Sequence, residues 1–361
     1  MKRYISLFIA AIITFAAFCQ TDGYTLVKAS DRHFAYVGRI SFRNPDAPSF
    51  TYPGIQIHAN FSGTSVRMAT KAGSGYFMIE LDDKTPYKVE STKEDSTVLI
   101  AEGLNDTMHR LTITYAIEGL LMKPEFRGLY LDKGHTLGTK PKLPTRIIEF
   151  IGNSITCGYG IEGQQTDKGF SYSKQNEFYT YEALASRTLN AQCWVVARSG
   201  IGIYRNCRGK LRGDRGNMQD VYPFTNFGTG GERWDFSRCQ PDVVCVNLGT
   251  NDTTAPKYDP DLLTNAFKRF ISTLRSHYPK AKIILLTGTM ISGKRLADLQ
   301  QAQLDAIADA ANHGDNNVFR LDFTPADGSL GYGTFKHPSM KQHEQMANEL
   351  VPFIKKITGW K

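Results

Sequence analysis

Four short segments of this chain carry side chains able to do acyl-transfer chemistry, and each sits beside an apolar run or a helical pattern. Gly152-Asn153-Ser154-Ile155-Thr156 follows the strand-like stretch 146–151. Val195-Val196-Ala197-Arg198-Ser199-Gly200-Ile201-Gly202 is a strand running into a glycine turn, and the apolar run 243–248 ends in Gly249-Thr250-Asn251-Asp252. His337-Pro338-Ser339 precedes the last helical pattern. A serine just past a buried strand stands at the mouth of a sheet, where a following turn or helix can aim backbone N–H groups at an anion. Taken singly, each residue has an ordinary role: Ser154 as a helix N-cap, His337 as a structural histidine and Asn251 as a turn residue. Together they supply what acyl transfer needs, namely a nucleophile, a base and donors for the developing oxyanion. Ser154 would attack, and His337 would take its proton and return it to the leaving alcohol. Cys157, three residues on, is the rival nucleophile.

The elements that must hold these residues change character midway. Over residues 24–140 short alternating segments, such as 34–38, 55–61, 65–69, 76–81, 97–101 and 109–115, recur between turn residues. This spacing predicts an antiparallel β-sandwich, jelly-roll-like in type. From residue 145 onward apolar runs at 147–151, 194–197, 243–248, 283–287 and 318–323 alternate with helical patterns at 176–189, 260–277, 294–313 and 339–357. Such alternation predicts an α/β fold with a parallel sheet of about five strands, whose carboxyl edge is the usual ligand site. A Pro- and Lys-bearing stretch at 139–144 reads as the linker.

Serine, glycine, asparagine and histidine at the ends of separate elements, in this order, resemble the four blocks of the SGNH (GDSL-type) hydrolases from Arg146 onward. The resemblance implies the three-layer SGNH fold and an oxyanion hole made of the Ser154 N–H, the Gly202 N–H and the Asn251 side-chain amide. Gly202 is favoured over Gly200 because 195–202 aligns without gaps on the family's second block. The string Gly152-Asn-Ser-Ile-Thr-Cys-Gly-Tyr-Gly160, with a β-sandwich ahead of it, is similar to carbohydrate esterase family 2. That likeness implies removal of O-acetyl groups from plant-wall sugars such as acetylxylan or acetyl-glucomannan, with preference for the primary 6-position and no cofactor or metal. Two positions depart from the SGNH pattern. Asn153 replaces the usual Asp before the nucleophile, and Thr334 replaces the Asp three residues before the histidine. The third member of a triad orients the imidazole and stabilises its cation. A backbone carbonyl, or Asp322 or Asp327, would have to serve, and Thr334→Asp should then be tolerated or mildly activating. Trp234, Tyr159 and Tyr204 are candidates for a sugar-stacking wall. His343 is a packing or surface residue, and Asp252 ties down its loop.

The chain has 361 residues, enough for two domains. Lys2 and Arg3 followed by an apolar run at 5–18 predict a signal peptide over residues 1–19, hence an exported protein, with lipid anchoring at Cys19 ranked second because Phe18 is bulky. No other stretch reaches membrane-spanning length. The formal charge of +8 includes Lys2 and Arg3, and without a nucleic-acid motif it reads as a solvated surface. Six cysteines match no zinc spacing; Cys193 and Cys245 read as core residues, and Cys207 and Cys239 as a conceivable disulfide. Two alternatives to the sugar esterase stand: a lipase or phospholipase of the same superfamily, and a glycan-binding protein with an inactive hydrolase half. The 160–173 segment is polar rather than apolar, which speaks against the lipase. The oligomeric state is not encoded in any of these features.

Overall fold

A computed structural model describes residues 23–361 apart from positions 229 and 256; the expected leader and Cys19 lie outside the described residues. The first half is two facing antiparallel sheets. Its strands are β1 (Tyr24–Lys28), β2 (Ala35–Val37), β3 (Gln56–Gly63), β4 (Val66–Thr70), β5 (Gly75–Leu81), β6 (Tyr87–Ser91), β7 (Thr97–Ala101), β8 (Thr107–Tyr115) and β9 (Phe126–Asp132). They are ordered β1-β9-β4-β7 in one sheet and β2-β3-β8-β5-β6 in the other. The period-2 pattern is plain in β3, where alternate residues are buried. Phe61 and Ile57 from that strand meet Phe77, Leu111, Leu129 and Leu131 in the space between the sheets. Gly128 is obligatory where β1 and β9 pair, since a Cβ there would lie 2.0 Å from the Val27 carbonyl oxygen.

The second half is a parallel sheet of five strands, ordered β11-β10-β12-β13-β14, between two helical layers. These strands are β10 (Arg146–Gly152), β11 (Ala191–Ala197), β12 (Val243–Asn247), β13 (Lys282–Thr287) and β14 (Val318–Asp322). All five residues of β12 are buried, as a central parallel strand covered on both faces requires. The helices are α1 (Tyr181–Thr188), α2 (Met218–Val221), α3 (Pro260–His277), α4 (Gly293–Asn312) and α5 (Met340–Thr358). α3 and α4 pack on one face through Phe267, Phe270 and Leu299, and α1 and α5 cover the other through Tyr181, Met346 and Leu350. The start of α3 is fixed locally: Asp259 accepts the N–H groups of Asp261 and Leu262 at 3.0 and 3.1 Å, and Pro260 opens the first turn.

A buried ion pair joins the halves. Arg39, just after β2, donates to Glu149 in the middle of β10 at 2.9 Å, with both side chains 1% exposed. Tyr222 and Tyr278 donate their hydroxyls to the same carboxylate at 2.6 and 3.4 Å, and the Arg39 guanidinium lies 4.4 Å from the centre of the Tyr222 ring. This network offsets the large cost of removing two charges from water.

Two expectations are corrected here. Trp234 is only 4% exposed and is packed against Trp194, Arg39 and Arg238, so its ring faces no solvent and serves as core rather than as a sugar platform. The five described cysteines are free thiols, with Cys239 buried and Cys207 exposed, so the suggested disulfide is not formed.

Candidate active site

Strand β10 delivers Ser154 to the carboxyl edge of the sheet. Gly152 is required at the turn, because a Cβ would sit 2.0 Å from the Thr156 hydroxyl oxygen. Asn153 pins the turn to the sheet by donating to the Asn247 carbonyl at 3.1 Å and accepting the Ile155 N–H at 3.0 Å. Its role is thus loop support. Ser154 is 9% exposed, and its Oγ lies 2.9 Å from His337 Nε2. His337 Nδ1 lies 3.0 Å from the Thr334 carbonyl oxygen. A carbonyl can only accept, so the proton sits on Nδ1 and the Nε2 lone pair faces the serine hydroxyl, the tautomer a general base needs.

Among the described residues no carboxylate supports this imidazole. Asp322 pairs with Arg320 at 3.0 Å, and Asp327 accepts the Ser329 N–H at 2.8 Å, so neither acts as the substitute acid. The support runs through Thr334 in a way the sequence did not suggest. Its N–H donates to the Gly160 carbonyl at 3.0 Å, and its hydroxyl donates to Asp167 at 2.7 Å. Asp167 is itself held by Lys174 and by the Gln164 N–H at 2.8 Å, and the Lys174 bond above all lowers its pKa to about 2. Phe335 and Lys336 then adopt left-handed conformations, φ 53° and 59°, before His337. Such backbone is costly for residues with a Cβ and concentrates at functional sites. Because the Thr334 side chain points at Asp167, an aspartate at this position would confront a second carboxylate, so the geometry predicts a loss rather than tolerance.

Close packing around the imidazole pushes its pKa down to about 4, since burial penalises the cation. The Tyr159 ring lies against it, centroids 4.4 Å apart, and stacks on Phe170 at 4.3 Å and 16°. Phe335, 51% exposed, flanks the histidine. Tyr204 belongs to the core, 5% exposed, its hydroxyl accepting the Asp259 N–H at 3.1 Å. Cys157 is fully buried with its thiol pKa pushed far up by burial, which disqualifies it as a nucleophile. His343 is also buried, accepting the Tyr181 N–H at 3.1 Å.

The three donors named from the block pattern differ in how free they are. The Ser154 N–H meets no protein acceptor among the described residues. Asn251 spends one hydrogen of its amide on the Ile201 carbonyl at 2.8 Å, which fixes the side chain between the two loops. The Gly202 N–H donates to Asn206 Oδ1 at 3.1 Å, so that side chain must move before Gly202 can serve an oxyanion. The Gly200 N–H, in a left-handed turn with φ 79°, has no protein acceptor among the described residues. Asp252 ties the loops down, accepting the N–H groups of Ile203, Tyr204 and Arg205 at 3.0, 2.9 and 3.0 Å.

One contributor comes from the other half of the chain. Glu118, three residues past β8 and 7% exposed, accepts the Ser199 N–H at 2.9 Å, directly before Gly200. Burial raises its carboxyl pKa. The β-sandwich thereby holds the glycine loop, a contact with no local signature in the sequence. Among the described residues, no group of three or more His, Cys, Asp or Glu side chains could hold a metal.

A serine and a histidine in contact at the carboxyl edge of a five-stranded parallel sheet make an acyl-transfer site, and the description "GDSL-like Lipase/Acylhydrolase family" matches residues 150–345, which places the chain among the GDSL-like acylhydrolases. A second family description, "Carbohydrate esterase 2 N-terminal", matches residues 36–141. The cellulase/esterase CelE of Acetivibrio thermocellus is 36% identical over 331 residues, covering 90% of this chain, which spans only 39% of that protein's length. An acetylxylan esterase / glucomannan deacetylase of Cellvibrio japonicus is 29% identical over 338 residues, covering 92% of this chain and 91% of its own. The solved structure of a family two carbohydrate esterase from Clostridium thermocellum, in complex with cellohexaose, superposes with a TM-score of 0.84 at 35% identity. It covers 91% of this chain and 100% of its own. The chain belongs to family 2 of the carbohydrate esterases.

Proposed function

We propose that this protein is an exported serine esterase that removes O-acetyl groups from plant-wall polysaccharides or oligosaccharides, of acetylxylan or acetyl-glucomannan type, with preference for 6-O-acetyl groups. The observation that carries this reading is the 2.9 Å approach of His337 Nε2 to Ser154 Oγ with the opposite ring nitrogen held by a carbonyl. In the reaction, Ser154 Oγ attacks the acetyl carbonyl as His337 Nε2 takes its proton. The oxyanion is held by the Ser154 N–H, the Asn251 amide and the Gly202 N–H once Asn206 yields, with Gly200 the alternative second donor. Collapse releases the sugar hydroxyl, protonated by His337, and leaves acetyl-Ser154. Water, deprotonated by the same imidazole, then releases acetate. Without a carboxylate partner, the transient imidazolium is balanced by the Thr334 carbonyl dipole and by the adjacent oxyanion. The exposed Phe335 offers a ring face to a pyranose beside the histidine, whereas both faces of Tyr159 are taken by Phe170 and His337.

The sugar assignment is supported by the names of the relatives and by the polar loop at 160–173 beside the site. Export is supported by the sequence pattern of residues 1–19, and among the described residues no helix is long and apolar enough to cross a membrane. The test is acetate release from acetylated xylan, glucomannan and cello-oligosaccharides by the wild type and by Ser154→Ala. The wild type should release acetate and favour acetyl over butyryl esters, and the variant should fold normally and be inactive. Efficient cleavage of octanoyl or longer esters would install the lipase reading, and glycan binding without any turnover the binding-protein reading.

A further inference from the structure

The segment that braces the oxyanion loops is strongly basic. Arg205, Arg208, Lys210, Arg212 and Arg215 lie within eleven positions that hold one acid, Asp214. That acid is occupied by backbone, accepting the Asn206 and Lys210 N–H groups at 2.9 and 3.0 Å. Arg205 is buried and donates to the Lys257 carbonyl at 2.7 Å. The remaining four side chains are exposed and make no salt bridge among the described residues.

This segment is wired into the site. The Cys207 N–H donates to the Gly200 carbonyl at 2.8 Å, and Asn206 accepts the Gly202 N–H. The Arg208 N–H approaches the Thr254 hydroxyl at 3.4 Å, and that hydroxyl donates to the Asn251 carbonyl at 2.7 Å. Thr253 and Thr254 lead from Asn251 into a cavity of about 740 Å³, walled further by Leu211, Lys257, Tyr258 and Arg295. Its acids are already engaged: Asp298 accepts the Tyr258 hydroxyl at 2.5 Å and Lys294 at 2.6 Å, and Asp259 caps α3. Lys257 and Arg295 form no salt bridge among the described residues.

A tyrosine ring and two uncommitted cations make a lining that suits a sugar ring bearing a carboxylate. A merely solvated basic surface would scatter its cations and pair many of them. Here Lys257 and Arg295 line the concave space itself, the four cations at 208–215 follow the same loop in sequence, and the acids of the cavity, Asp259 and Asp298, are already used. We propose that this cavity is a subsite for a uronic acid residue, so that the preferred substrate is an acetylated acidic glycan. The placement of the acetyl group rests on the esterase reading above, whereas recognition of the carboxylate does not.

The experiment titrates full-length Ser154→Ala calorimetrically with a glucuronic-acid-bearing xylo-oligosaccharide and with the unsubstituted oligosaccharide of equal length. The acidic ligand should bind about fivefold to tenfold more tightly at low salt, the advantage expected of two partly exposed ion pairs. The preference should shrink strongly at about 0.5 M NaCl, where the screening length falls to a few ångströms. In Lys257→Gln/Arg295→Gln it should disappear, and in Lys257→Glu, a second variant at an exposed position, it should reverse or vanish. In parallel, kcat/KM of the wild type on acetylated glucuronoxylan should fall after the uronate carboxyls are amidated. Equal affinity for the two oligosaccharides, or a preference that survives both variants, would overturn the subsite. Charge-dependent binding without acetate release from any ester would uphold the subsite and overturn the esterase reading. Acetate release without charge dependence would do the opposite.

Discussion

The pH dependence of ester hydrolysis is where the carbonyl-only support of His337 becomes measurable. The imidazole is packed against Tyr159 and bonded to a dipole rather than a charge, and its pKa is held at about 4 instead of 6.5. Adding a proton to it therefore costs about 3 kcal/mol more in the folded protein than in water. The base form is the active one, so kcat/KM should keep about 90% of its plateau at pH 5, where an imidazole of ordinary pKa would retain only about 3%. The assay is initial acetate release from a short-chain ester, quenched and quantified enzymatically from about pH 3.5 to pH 8. Circular dichroism on the same samples must accompany it. His58, His337 and His343 are all held below 6.5 by burial, to about 4, 4 and 3. Between pH 6.5 and pH 4 the unfolded chain therefore binds protons that the folded chain does not, and stability falls as pH falls through that window. An acid limb at pH 6 or above in protein that is still folded would refute the argument, because it would mean an imidazole solvated as in the free side chain rather than packed as the geometry has it.

Thr334→Asp should lower kcat/KM by at least about tenfold, since the new carboxylate meets Asp167 and disturbs the carbonyl that orients His337; Asp167→Asn in the same chain should recover part of the loss. An unchanged or raised kcat/KM in the single variant would count against this geometry. Trp234→Ala should cost about 3–5 kcal/mol of stability in denaturant melts while the folded fraction keeps its KM for acetylated saccharides; a raised KM at unchanged stability would restore Trp234 as a sugar contact. Glu177 is fully buried, and burial raises its carboxyl pKa from 4.5 to about 7. The folded chain thus keeps a proton that the unfolded chain has lost, so this group's contribution falls away as pH rises from 4.5 to 7. Glu177→Gln should therefore raise the Tm more at pH 8 than at pH 4.5, and a pH-independent difference would contradict the assignment.

Much of the fold could be read from local pattern. The apolar runs at 283–287 and 318–323 became β13 (Lys282–Thr287) and β14 (Val318–Asp322), and the helix expected at 260–277 is α3 with the same bounds. These signals are strong because a parallel strand needs an unbroken apolar run and α3 carries its own cap. The pattern at 176–189 resolved less well, into a short 3-10 turn at Glu177–Tyr179 followed by α1, because Thr180 adopts an extended conformation between them. Within the site, the nearness of Ser154 and His337 followed from both lying at the mouth of one sheet. Three features were not legible: Glu118 on the glycine loop, Asp167 behind Thr334, and the burial of Trp234. Each depends on contacts between segments far apart in sequence, and a tryptophan in a polar loop gives no sign that Arg39 from the other half will lie against it.

The Arg39–Glu149 pair bears on how such a chain can be recombined. The two halves look like separate modules, with a short proline-bearing connection that invites a breakpoint. Yet a cut there strands a carboxylate in the middle of the central sheet, and breaking a buried pair by removing one partner costs about 3–5 kcal/mol. The glycine loop would lose Glu118 at the same stroke. For inheritance as for protein engineering, the sandwich and the hydrolase sheet therefore travel as one cassette. A graft of either half onto a foreign partner has to bring both the arginine and the glutamate that reach across the seam.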